Sequence, residues 1–182
     1  SNILVTPTGE VRLLDFGIAK LLDDPEPAPL HPRTEVRAFT LHYAAPEQIE
    51  GRPATTATDV HALGLLLFEL LTGERPFGSQ TTSALSLARE IVEREPARPS
   101  QISRSLRSRS EYRDFDEICL KALRKNPEER YLSVVALADD IRRSLAGFPV
   151  EALAGARAYR ARKFVARHRL AIAASTLAFV GL

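Results

Sequence analysis

The sequence contains no methionine, no tryptophan and a single cysteine, Cys119. One cysteine excludes an internal disulfide framework and fits a reducing compartment. The four histidines, His31, His42, His61 and His168, are scattered without metal-ligand spacing, which argues against a zinc site. Acidic residues stop at Glu151: residues 152–182 hold six Lys or Arg and no Asp or Glu, while residues 1–151 hold 19 basic and 23 acidic residues. The net charge of +2 is therefore a mildly acidic body of −4 joined to a basic tail of +6. The terminal run Leu170 to Leu182 is thirteen residues without a charge, short of the ~20 residues that cross a bilayer. Because the chain has no Met and opens at Ser1 inside an organised pattern, its reading frame is expected to extend upstream.

What is present is ordinary for a globular protein, 45% hydrophobic and 26% charged over 182 residues. That length suits one domain with a core plus an appendage. The opening "SNILVTPTGEVRLLDFG" places two short apolar runs either side of a Pro- and Gly-containing connector, which predicts a β-hairpin. A hairpin joins its ends, so Asn2 and Asp15 are expected to meet. An amide oxygen and a carboxylate at one point suit a hard cation such as Mg²⁺. Residues 21–40, with Pro25, Pro27, Pro29 and Pro32, read as a long irregular loop of the kind that is usually functional or disordered.

The rest reads as helical. "TTATDVHALGLLLFELLTG", Thr55 to Gly73, has Thr58 or Asp59 as N-cap and Gly73 as its stop. Its apolar residues fall on every side, so this helix is expected to lie at the centre of the body, buried all round. Further helices are expected over Thr82 to Glu95, Asp114 to Arg124 and Leu132 to Ala146, the last closed by Gly147 and Pro149. The Ser/Arg-rich connector "ARPSQISRSLRSRS" reads as a solvated surface loop, with anion binding the rival reading. Cys119, between Ile118 and Leu120, reads as a buried inert thiol. At the C-terminus a basic cluster leads into the apolar run, a positive-inside pattern that predicts the start of a transmembrane helix with the preceding chain cytoplasmic. The rivals are a packed amphipathic helix and a peripheral segment binding anionic lipid.

Asn2, "DFG" at Asp15-Phe16-Gly17 and "APE" at Ala45-Pro46-Glu47 occur in an order and spacing that resembles the second half of a eukaryotic-type protein kinase catalytic domain. The wording of "YAAPEQ", "TTATDVHALGLLLFELLTGERPF" and "ALRKNPEERY" is similar to the bacterial membrane-anchored Ser/Thr kinases. The resemblance implies a mainly α fold: the large C-terminal lobe of a kinase over residues 1–147, with a small hairpin at its N-terminal end. A basic juxtamembrane linker over 148–169 and the beginning of a C-terminal hydrophobic membrane helix over 170–182 would follow.

The resemblance also implies roles. Asn2 and Asp15 would hold Mg²⁺ against the phosphates of ATP, neutralising charge on the transferred group. Leu4 would form the floor of the adenine pocket, supported from below by Leu66 and Leu70, and Phe16 would set active versus inactive packing. Asp15 to Glu47 would be the activation segment. Thr40 would sit beside the substrate hydroxyl, which points to Ser/Thr rather than Tyr, and Thr34 is the candidate phosphosite. Phe39 and Leu41-His42 depart from the family's usual small residues there, which bears on substrate preference. Glu47 and Arg130 would form a buried ion pair, and Asp59 would anchor the catalytic-loop backbone.

The implied partners are protein substrates bearing Ser or Thr, the membrane through the C-terminal segment and a second copy of the parent, with no nucleic acid. The implied location is the cell membrane, single-pass, with the kinase region cytoplasmic. The family's Gly-rich loop, phosphate-binding Lys and catalytic Asp would all precede Asn2, so these 182 residues alone are expected not to transfer phosphate. A pseudokinase scaffold is the competing reading, disfavoured by the two retained metal ligands.

Overall fold

The computed structural model describes residues 3–13, 41–78, 83–103 and 112–168. The chain divides into two units, Ser1–Arg33 and Thr34–Leu182. In the first, strand β1 (Ile3–Val5) pairs antiparallel with β2 (Val11–Leu13) in the register Ile3 opposite Leu13, Leu4 opposite Arg12 and Val5 opposite Val11. The turn closes through Thr6 N–H to the Glu10 carbonyl at 2.8 Å and Gly9 N–H to the Thr6 carbonyl at 2.9 Å. Gly9 adopts φ +83°, a left-handed conformation that a side chain disfavours.

The second unit is helical: α1 (Pro46–Ile49), α2 (Thr56–Thr72), α3 (Ala84–Glu93), α4 (Pro99–Ile102), α5 (Tyr112–Ala122), α6 (Val134–Leu145) and α7 (Arg157–Arg167). Short 3-10 turns occupy Pro127–Glu129 and Glu151–Leu153. Helix α2 packs against α4, α5 and α6. Its Val60 joins Phe115, Ile118, Ala122, Tyr131, Leu137 and Val150 in one core cluster, while Leu65 and Phe68 join Phe77, Leu87, Ile91, Cys119 and Leu123 in a second. Cys119 is fully buried, and burial pushes its thiol pKa up.

Three expectations are corrected. The N-cap of α2 is Thr55, whose Oγ accepts the Ala57 N–H at 3.3 Å. Thr58 instead completes the capping box by accepting the Thr55 N–H at 3.0 Å, and Asp59 lies exposed in the first turn. The reason is that a cap must precede the first helical residue, and helical geometry already begins at Thr56. Helix α2 is also not buried all round: Leu63 is 37% and Leu70 76% exposed. Asp59, Leu63, Leu66 and Leu70 recur at helical spacing, so they form one stripe, left open by the helices that pack on the other sides. The connector is not wholly loop, because Asp116 holds the start of α4: its Oδ1 accepts the Ser100 N–H at 2.9 Å and its Oδ2 the Ser100 hydroxyl at 2.6 Å.

The contact between α2 and α5 depends on a glycine. A Cβ on Gly64 would stand 2.8 Å from Ala122 Cβ and 3.1 Å from Leu123 Cδ2. Gly64→Ala gains up to ~1 kcal/mol in helix propensity, but the clash forces the two helices apart at a cost of about 1–3 kcal/mol. The variant is therefore expected to unfold at lower urea concentration than the wild type; an unchanged or raised midpoint would show that the helices yield freely.

Within residues 148–168, Val150 is 2% exposed and belongs to the first core cluster, and α7 is a regular helix. No described helix is long and apolar enough to cross a membrane; residues 170–182 lie outside the described residues.

Candidate functional site

Glu47, at the start of α1, and Arg130, just after the 3-10 turn at Pro127–Glu129, are 83 residues apart in sequence and meet in the interior. Their side chains are 2% and 0% exposed. Arg130 Nη1 donates to Glu47 Oε1 at 2.8 Å and Nη2 to Oε2 at 2.7 Å, a bidentate pair of the geometry that guanidinium and carboxylate favour. The remaining donors are also used: Nε to the Arg124 carbonyl at 2.7 Å, Nη1 to Ala57 at 2.8 Å and Nη2 to Lys125 at 3.2 Å. All five guanidinium hydrogens thus have an acceptor. On the carboxylate side, Thr58 Oγ donates to Glu47 Oε1 at 2.9 Å.

The clasp ties three stretches together: the APE motif, the first turn of α2, and the loop after α5. Burial by itself would raise the Glu47 pKa, but the hydrogen bonds from Arg130, the backbone and Thr58 hold it at about 2. The carboxylate therefore stays ionised in the interior, which is tolerable only because its charge and lone pairs are matched.

Sequence reasoning missed two neighbours of this clasp. His61 is fully buried, and among the described residues neither ring nitrogen has a hydrogen-bond partner. Burial, with the Arg130 charge adding to it, lowers its pKa to about 3, so the ring is neutral. Lys125 lies over the Phe77 ring, 4.3 Å from its centroid, and donates to the Ile91 carbonyl at 2.7 Å. Burial lowers its pKa to about 8. Both residues lie within stretches that carry the family resemblance, but a lone His or Lys gives no sign of its burial until its neighbours are known.

Of the residues singled out in sequence, the structure brings together Glu47 and Arg130. Leu4 lies on β1 opposite Arg12. Leu66 is half-buried and Leu70 exposed on the open stripe of α2. Asn2, Asp15, Phe16, Thr34 and Thr40 lie outside the described residues, so their convergence is not part of this geometry. Among the described residues no cluster of His, Cys, Asp or Glu could hold a metal ion.

Comparison with known proteins identifies the family. Residues 1–140 match the model of the protein kinase domain. The chain is 37% identical over 152 residues to the serine/threonine-protein kinase PknB of Mycobacterium leprae, covering 84% of this chain and 23% of that protein. It is 36% identical over 152 residues to PknB of Mycobacterium tuberculosis, with the same shares. To the serine/threonine-protein kinase PkaA of Streptomyces coelicolor it is 40% identical over 133 residues, 71% of this chain and 22% of that protein. The chain thus spans under a quarter of the length of these relatives. With its family match running through both halves of the Glu47–Arg130 clasp, the chain belongs to the protein kinase domain family.

Proposed function

We propose that this chain is the distal part of a Ser/Thr protein kinase catalytic domain whose parent transfers the γ-phosphoryl group of ATP to Ser or Thr hydroxyls of protein substrates. The observation that carries the reading is the continuous family match over residues 1–140, to which the relatives named as serine/threonine-protein kinases add support.

Asn2 and Asp15 would hold Mg²⁺ and, through it, ATP. The donor set fits, because an amide oxygen and a carboxylate are hard ligands. The hairpin supports it further: Asn2 directly precedes β1, Asp15 follows β2 by two residues, and the strands run antiparallel with Ile3 opposite Leu13. Bound there, the cation supplies charge neutralisation for phosphoryl transfer. Leu4 would line the adenine pocket and Phe16 would gate it. Thr40 would orient the acceptor hydroxyl, phosphorylation at Thr34 would order the activation segment, and Asp59 would hold the catalytic-loop backbone. The basic C-terminal segment would tether the kinase region to the inner face of the membrane, with a second copy of the parent as a partner.

In the complete reading frame, Asp15→Ala is expected to abolish transfer of radiolabel from ATP to a basic Ser/Thr substrate while leaving the unfolding midpoint of the helical unit unchanged. Full turnover in that variant would refute the metal-ligand assignment. Absence of turnover in the unmutated frame would favour a scaffold that keeps the fold without the chemistry.

A further inference from the structure

Beyond the family match, which ends at residue 140, the chain is strapped to the helical unit by two buried carboxylates. Asp140, 1% exposed, accepts hydrogen bonds from the Tyr131 hydroxyl at 2.7 Å and the Ala152 N–H at 2.9 Å, and from the Glu151 N–H. Asp114, also 1% exposed, accepts the Tyr159 hydroxyl at 2.9 Å on Oδ1 and meets Lys163 Nζ at 2.7 Å on Oδ2. Tyr159 and Lys163 stand four residues apart, so one side of α7 is committed to this inward contact. Arg167 adds a stacking contact, its guanidinium 4.4 Å from the Phe148 ring centroid.

The opposite side of α7 faces away from the helical unit and has a definite composition, with the Phe164 ring packed 4.5 Å from the His168 ring at its C-terminal end. At 100° per residue, Arg157, Ala161, Phe164 and Val165 lie away from Tyr159 and Lys163, with Arg160 beside them. All five are exposed, Phe164 by 55% and Val165 by 52%. No acidic residue occurs after Glu151, so nothing in this part of the sequence offsets the arginines.

We infer that this outward face of α7 is a docking surface for an anionic lipid bilayer, lying in the plane of the headgroups. Two features select a bilayer over other polyanions. Arginines attract any anionic surface, but only a bilayer offers hydrocarbon next to phosphate, where Phe164 and Val165 can bury while their neighbours stay with the headgroups. A nucleic acid would use the charge and leave the two apolar side chains without gain. Because Asp114 clamps the helix from behind and Asp140 holds the turn that precedes it, docking would fix the orientation of the helical unit as well as its location. This inference needs only the exposed face of α7 and does not depend on residues 170–182 crossing the membrane.

The test is co-sedimentation of the full 182-residue chain with vesicles of phosphatidylcholine, alone or with roughly one third phosphatidylglycerol. Wild type is expected to partition at least about tenfold more strongly onto the anionic vesicles, with the preference falling as salt rises. Arg157→Glu/Arg160→Glu should remove the preference, and Phe164→Ser should weaken partitioning several-fold at unchanged charge. Both variants should keep the wild-type urea midpoint, because the altered side chains are exposed. Equal binding to neutral and anionic vesicles would overturn the inference, since the apolar terminal run could then account for it. So would survival of the preference in the double variant, or an unaltered Phe164→Ser, which would identify a general polyanion site.

Discussion

Arg130→Met is expected to lower the stability of the helical unit by about 3–5 kcal/mol, because it leaves Glu47 ionised and buried without its partner. The side chains are similar in length, so little of the loss comes from lost volume. The variant leaves Glu47 Oε2 and the carbonyls of Arg124, Lys125 and Ala57 without their Arg130 donors, and leaves Glu47 Oε1 with Thr58 as its one side-chain donor. Urea unfolding of the chain measures the effect. The double variant Glu47→Leu/Arg130→Met separates the pair's net contribution from the penalty of stranding one charge. It should recover part of the loss, since two apolar groups in place of a buried pair are often neutral or stabilising. A single variant as stable as wild type would show that water reaches Glu47 and that the clasp is not a closed unit.

The second large effect is a dependence of stability on pH. The folded-state pKa of His61 is lowered from 6.5 to about 3, so below pH 6.5 the unfolded chain binds a proton that the folded one does not. Stability is therefore complete above pH 6.5 and is lost as pH falls toward 3, at about 1.4 kcal/mol per pH unit for one proton. Glu47, lowered from 4.5 to about 2, acts in the same direction: its contribution is present above pH 4.5 and lost as pH falls toward 2. The window between pH 6.5 and 4.5 thus isolates histidine. His42, whose pKa is lowered by burial and by Arg75, adds to the slope.

His61→Leu should flatten most of the decline between pH 6.5 and 4.5. At pH 7 it should raise stability by about 1–3 kcal/mol, by removing a buried ring with unsatisfied nitrogens. Urea midpoints across this range check both statements. An equal slope in wild type and variant would mean that the ring has access to a proton in the folded state.

Helical periodicity and stop signals marked where α2, α3, α5 and α6 run, with boundaries shifted by up to two residues. Short-range chemistry governs such elements: a run of helix formers ended by Gly73 or by Pro96 leaves few alternatives. The N-cap of α2 was less legible because Thr55, Thr58 and Asp59 all carry capping oxygens, and only the backbone decides which one precedes the first helical residue. The open stripe of α2 was not legible at all. Periodicity reports how apolar a face is and cannot report whether anything packs on it, so Leu70 looked like core and is 76% exposed. The packing of residues 148–168 was equally hidden: Asp140, 11 residues before Glu151, and Asp114, 45 residues before Tyr159, hold this stretch down.

Local order of residues by itself determined the family and the helical class, because DFG, APE and the long apolar helix are read along the chain one after another. Tertiary structure alone decided that Asp114 and Asp140 are interior, whereas the burial of Glu47 and Arg130 was implied only by the family resemblance. All four resemble surface residues in composition, and they become buried because partners 9 to 83 residues distant supply their hydrogen bonds. Desolvating a charge is affordable only at a site where such partners converge, and convergence is a property of the fold.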